Sequence, residues 1–226
     1  MERFEAYLGL PMLVGRAKYQ TFSFLKDRIW KKLQGWKGMM LSKAGKEVLI
    51  KAVAQSIPTY TMGVFRLLVK LCYELQCMQN FGGDRLAMRG KYIGKLEFLS
   101  RPKNEGGMGF RDLRFFNLAM LAKQGWKSLH DQSSLLFQCF KARYFPRCNF
   151  LDAIESPNCS YAWKSMVAKL PILKNGCCWH VGNGESIKVY LDKWIPNCPT
   201  NRILHQGHDV DKEIMVSELI DADLHA

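Results

Sequence analysis

Apolar residues recur at helical spacing through most of the front half of the chain. Phe22, Leu25, Ile29, Leu33 and Trp36 make one stripe and predict a helix from Ala17 to about Gln34. Arg28, Lys31 and Lys32 lie on an adjoining flank at i, i+3, i+4 spacing. Ser42 is placed to cap a second helix from Lys43 to about Ser56, which stops at Ile57 because the residue before Pro58 is biased away from helix. A third helix, about Arg66 to Gln79, carries Leu67, Leu71, Leu75 and Met78 on one face. Three helices with short links predict a small bundle.

The pattern then changes. Gly82, Gly83, Gly90 and Gly94 interrupt helical periodicity, so short strands are expected at Tyr92-Ile93 and Phe98-Leu99. Gly106, Gly107 and Gly109 follow Pro102 and predict a sharp turn. Leu113, Phe116, Met120 and Leu121 resume a helix face, with Asp112 at its N-terminus and Arg111, Arg114, Lys123 and Lys127 around it. Helices are expected at Ser134 to Tyr144 and at Ser160 to Leu170. Cys178–Gly182 and Ile187–Tyr190 flank Asn183-Gly184, a hairpin signal because a type I′ turn requires positive φ at both central residues. Beyond Asn197 the chain reads as a weakly packed acidic tail with one short helix near Val216–Ile220. The fold class is mainly α: a three-helix bundle, then a mixed region of helices and short β-hairpins.

Charge adds direction to this picture. The net charge is +13 over 226 residues. Residues 1–130 hold 23 Lys/Arg against 9 Asp/Glu, residues 131–196 hold 8 against 5, and residues 197–226 hold 2 against 6. A basic front half points to a polyanionic partner, above all nucleic acid. Lys26, Arg28, Lys31, Lys32, Lys43, Lys46 and Lys51 are the candidate phosphate contacts, since backbone binding needs only positioned positive charge. Trp30, Trp36, Tyr60, Phe65, Trp126, Tyr144 and Phe145 lie among these cations and could stack bases, although core packing is the expected role of Trp30, Trp36 and Trp126.

Catalytic constellations are missing from the sequence. No adjacent aspartates or carboxylate pair in an apolar strand offer a two-metal site, and no GxxxxGK[ST], GxSxG or HExxH occurs. The acids of the basic half, Asp27, Glu47, Glu97 and Asp112, are expected to form ion pairs or caps. The eight cysteines contain no CxxC pair and are expected to be reduced, mostly buried thiols. Cys198 with His205 and His208 is the nearest approach to a zinc site and lacks a second half, so no metal or cofactor is expected. With no apolar run of about 18 residues and no secretory signal, the expectation is an intracellular protein of nucleus or cytoplasm.

A resemblance then joins separate stretches. Tyr7 to Pro11, Trp30 to Trp36, Leu41 to Tyr60, Pro102-Lys103 with Gly106 to Leu113, Phe116-Asn117, Leu121 to Trp126, Lys141 to Phe145, Ser160 to Trp163, Trp179 to Gly184 with Ser186-Ile187, and Trp194 to Pro196 occur in this order. Together they resemble the C-terminal part of plant LINE-type (non-LTR) retrotransposon reverse transcriptases. The resemblance covers about residues 5–196 and fades after Pro196. It departs at Phe81-Gly82-Gly83 and Tyr92 to Leu96, where several aromatics of the family are replaced.

The resemblance implies a palm-exit segment at 1–16, a thumb-like bundle at 17–80, a hairpin, turn and helix at 81–130, a linker region at 131–196 and the acidic tail at 197–226. In such enzymes the thumb holds a template–primer duplex, and the catalytic palm lies upstream of the matched part. A zinc-knuckle segment and, in some members, a ribonuclease H domain lie downstream. The expectation is therefore a non-catalytic remnant of an RNA-directed DNA polymerase that at most binds template–primer nucleic acid, an RNA–DNA or DNA duplex, through its basic helices. The alternative is a structural or interaction protein, or a relic with no present function.

Overall fold

The computed structural model describes residues 6–36, 39–80, 93–196, 198, 200–203, 211 and 213–220. Two compact units divide the chain, Met1–Pro171 and Ile172–Ala226.

The first unit opens with β1 (Ala6–Tyr7) and β2 (Leu10–Pro11), an antiparallel pair in which Tyr7 faces Leu10. Leu8 and Gly9 between them both take positive φ, as a two-residue primed turn requires. The first predicted helix is two helices, α1 (Lys18–Phe22) and α2 (Phe24–Trp36). The break falls at Ser23, whose hydroxyl donates to the Gln20 carbonyl and competes with the helix ladder. The predicted stripe is nonetheless buried: Phe22, Leu25, Ile29 and Leu33 enter the main core.

The second predicted helix also divides, into α3 (Lys43–Ala52), a 3-10 turn at Ala54–Ser56, and α4 (Thr59–Met62) beyond Pro58. The Ser42 hydroxyl accepts from Gly45 N at 3.1 Å, so the predicted cap is present. No α3 residue is fully buried. α5 (Val69–Asn80) contributes Leu71, Cys72, Leu75 and Met78 to the core. Ile93–Ser100 is a helix, α6, so Phe98-Leu99 is not a strand; Tyr92 lies outside the described residues. Leu96 is buried beside Cys77, a contact that a helix supplies on one face and that overrides the glycine signal.

α7 (Leu113–His130) begins where expected, with Asp112 Oδ1 accepting from Arg114 N at 2.9 Å. α2 packs on α5, α5 on α7, and α7 on α4. The centre of the bundle is thus α2, α5 and α7, with α3 to one side rather than within the expected trio. α8 (Leu135–Tyr144) and α9 (Tyr161–Val167) follow, and Ser160 caps α9 through Trp163 N. Trp163 is fully buried among Phe140, Tyr144, Phe145 and Phe150, and stacks on Phe145 at 5.3 Å and on Tyr144 at 4.9 Å.

One buried side chain holds the turn between α4 and α5. Asn117 of α7 is 2% exposed. Its Oδ1 accepts from Leu67 N, and its Nδ2 donates to the carbonyls of Met62 and Phe65, each at 2.9 Å.

α10 (Leu170–Gly176) leads into the second unit, whose core is Ile187, Val189 and Val216. The predicted hairpin at 178–190 is not formed. Gly184 has φ +73° but Asn183 is not in the left-handed region, so the type I′ turn is missing. Instead Ile187 and Val189 exchange backbone bonds with Val216 and Ile214, and Lys188 bridges to Met215. The acidic segment is therefore tied in at this point, and the short helix expected there is a 3-10 turn at Val216–Leu219.

Asn117→Leu leaves one amide and two carbonyls of a buried turn without partners. It is expected to cost about 3 kcal/mol, read as a lower urea midpoint at unchanged slope.

Candidate nucleic-acid interface

The seven cations nominated from the sequence fall into two groups. Lys26 and Lys51 are tied into the fold. The Lys26 ammonium is 2.8 Å from Glu74 Oε2 and donates to the Tyr19 hydroxyl at 3.1 Å, while that hydroxyl donates to Glu74 at 2.5 Å. Burial disfavours both charges. The hydrogen bonds among the three groups outweigh it, raising Lys26 above and holding Glu74 below their ordinary values. The Lys51 ammonium donates to Glu47 Oε1 at 2.7 Å and to the Met108 carbonyl at 2.5 Å. It pins the glycine-rich turn to α3. Lys103 reaches the same Glu47 oxygen at 3.3 Å, and the hydrogen bonds from Lys51 and Lys103 keep that carboxylate below its usual range.

The other five are exposed. Arg28, Lys31 and Lys32 stand on α2, and Lys43 and Lys46 on α3, at helical spacings that put each set on a common flank. None of them forms an ion pair among the described residues. The Arg28 guanidinium lies 4.9 Å over the Phe24 ring, which orients it without neutralising it.

The aromatics also divide. Phe65 and Phe145 are buried, Tyr144 stacks on Trp163, and Trp30 and Trp36 pack partly against the main core. Trp126, expected in the core, is 47% exposed and lies 4.3 Å from the His130 ring. It stands outside the stripe that faces the core, where Leu113, Asn117, Leu121, Gly125 and Ser128 are buried. Tyr60 is likewise exposed.

The expected ion pairs form at Glu47, and Asp112 both caps α7 and pairs with Arg114. Of the eight cysteines only Cys72 and Cys77 are buried, against the expectation that most would be. The others sit on short or irregular segments with an open side. Burial, reinforced by the Asp112 charge, pushes the Cys72 thiol up to about 12 and leaves it chemically inert. Among the described residues no group of His, Cys, Asp or Glu could hold a metal; His205 and His208 lie outside them. No helix among the described residues is long and apolar enough to cross a membrane.

Sequence reasoning missed a second basic surface. An open groove of about 750 Å³ runs between the start of α1, residues 66–70 and α9. Lys18, Arg66 and Lys70 line it together with Tyr19 and Tyr161. Lys18 and Arg66 fall outside the amphipathic stripes that drew attention to α2 and α3, so no periodicity marked them.

Two Arabidopsis thaliana proteins are similar to this chain. One is the uncharacterized mitochondrial protein AtMg00310, 34% identical over 143 residues that make up 62% of this chain and 93% of that protein. The chain belongs to the family of AtMg00310. The other carries the name "Putative ribonuclease H protein At1g65750" and is 26% identical over 215 residues, 92% of this chain. The chain spans only 34% of that longer relative. No family model and no solved structure matches the chain.

Glu74 titrates below its ordinary value in the folded state, so its contribution to stability is present above about pH 4.5 and is lost as pH falls below it. Glu74→Gln is expected to lower stability by about 1 kcal/mol at neutral pH. That gap should close in urea titrations as the pH falls below about 4.5.

Proposed function

We propose that this chain is a retrotransposon-derived, non-catalytic protein that binds an RNA–DNA or DNA duplex through α2 and α3. Its ancestry is the thumb and linker region of a LINE-type reverse transcriptase. The observation that carries the binding is the division of the seven cations. Arg28, Lys31, Lys32, Lys43 and Lys46 are exposed and unpaired among the described residues, while Lys26 and Lys51 have protein partners.

The ancestry draws on the order of the matched stretches and on the similarity to At1g65750, which is longer and named for ribonuclease H. The non-catalytic reading draws on the chemistry of the described acids. Glu47, Glu74, Asp112, Glu155 and Glu213 are each engaged by a lysine or arginine, and no group of three or more His, Cys, Asp or Glu that could hold a metal occurs among the described residues.

Such binding follows phosphate neutralisation and carries no sequence information. Five contacts predict an affinity that falls on the order of 10²-fold between about 50 and 200 mM salt. In filter binding, the double charge reversal Lys31→Glu with Lys32→Glu should weaken a 20-base-pair duplex and flatten its salt slope by about 2. Lys26→Met should lower stability and leave affinity nearly unchanged. Absence of duplex binding at low salt, or equal effects of the two variants on affinity, would overturn the reading.

A further inference from the structure

We infer that the groove beside α9 is a second, separate site that takes a single strand of nucleic acid, one or two nucleotides at a time. The inference extends the polyanion reading to a different set of cations, and it stands or falls apart from the duplex site.

The groove's volume, about 750 Å³, lies in the range of small-ligand sites and suits a short unpaired stretch rather than the width of a duplex. Its charge is one-sided. Glu155 is the carboxylate on its wall, and Lys164 engages it at 3.0 Å. Arg66 and Lys70 are exposed, and together with Lys18 they form no ion pair among the described residues. Lys169 lies behind them, 7% exposed and likewise without an ion pair among the described residues. Its burial and the charge of Arg66 pull its pKa below the ordinary lysine value; the nearest counter-charge to Lys70 is Glu74, which Lys26 and Tyr19 already engage.

The two rings are anchored by their hydroxyls, and Tyr161 also by the packing of one face on the core. Tyr161 donates to the Arg66 carbonyl at 2.6 Å and stacks on Phe65 at 6.1 Å. Tyr19 donates to Glu74. The Lys18 ammonium lies 4.7 Å over the Tyr161 ring, and Lys70 lies 5.5 Å over Tyr19. A cation over a half-buried ring is held more weakly than one hydrogen-bonded to a phosphate oxygen. A phosphodiester entering the groove therefore draws both ammonium groups toward its oxygens and uncovers the outer face of Tyr161 for a base to stack on, while Lys26 stays 5.6 Å over the Tyr19 ring. Arg66 can join them, because among the described residues the bonds it makes are through its backbone: its amide donates to Ser165 Oγ and its carbonyl accepts from Tyr161.

The test uses the full chain and a fluorescently labelled oligo-deoxythymidylate of about 8 nucleotides, with a 20-base-pair duplex as comparator. The triple variant Lys18→Ala, Arg66→Met, Lys70→Ala keeps the backbone contacts of residue 66. Its affinity for the single strand should fall about 10²-fold at 0.1 M salt, with a salt slope shallower by about 2. Duplex affinity should change less than about twofold. The variant Lys31→Glu with Lys32→Glu should do the reverse. Photo-crosslinking of an iodouracil-substituted strand, read by peptide mass spectrometry, should label the peptide containing Tyr161. Circular dichroism confirms that each variant is folded. Unchanged single-strand affinity in the triple variant, equal losses for strand and duplex, or cross-links confined to α2 and α3 would each overturn the site. Loss of duplex binding alone in the α2 variant leaves it standing.

Discussion

The bundle depends on satisfying a turn that has no secondary structure of its own. Residues 63–68 pass from α4 to α5 through the protein interior, where an unpaired amide or carbonyl is expensive. Asn117 meets that constraint with one amide group, taking one donor and two acceptors of the turn. Once this segment is fixed, α5 can lie between α2 and α7, and Phe65 and Leu67 can join the core. The same segment then presents Arg66 outward and supplies the backbone partners of Tyr161 and Ser165. A polar atom set inside the bundle therefore shapes the basic groove on its surface.

The lysines show how position rather than residue type separates structure from function. Lys26 and Lys51 carry the same charge as Lys31 and Lys46, yet each meets a carboxylate and a further oxygen of the fold. Committed pairs of this kind hold elements together and offer little to an incoming phosphate. The exposed cations keep their hydration and their freedom to rearrange, which is what a sequence-independent contact to a phosphate chain needs.

Much of the local structure was legible in the sequence because it is decided locally. Ser42, Asp112 and Ser160 cap the helices they precede, and the stripe Phe22–Leu25–Ile29–Leu33 is the buried face. The largest misreadings share another cause: they were settled by a distant partner. Ile187–Tyr190 reads as half of a hairpin with Cys178–Gly182, but Ile214 and Val216 offer a better match. Glycine spacing suggested strands near residue 98, and packing beside Cys77 produced α6. The five exposed cations of the candidate interface could be nominated from spacing, but the engagement of Lys26 by Glu74, 48 residues away, could not. The groove at Arg66 carried no periodic signal at all.

The glycine-rich turn has a consequence for α3. A Cβ at Gly107 would lie 2.2 Å from the Arg101 carbonyl oxygen, so the chain folds back on itself there with no room for a side chain. That tight loop is fastened to α3 by the ammonium of Lys51 on the Met108 carbonyl. The fastening depends on a positive charge. Acetylation of Lys51 would neutralise that charge and weaken the latch on both Glu47 and Met108. By linkage, a loop that holds Lys51 tightly also makes the lysine harder to modify. The chemical state of one side chain and the closure of the loop are in this way two readings of the same equilibrium.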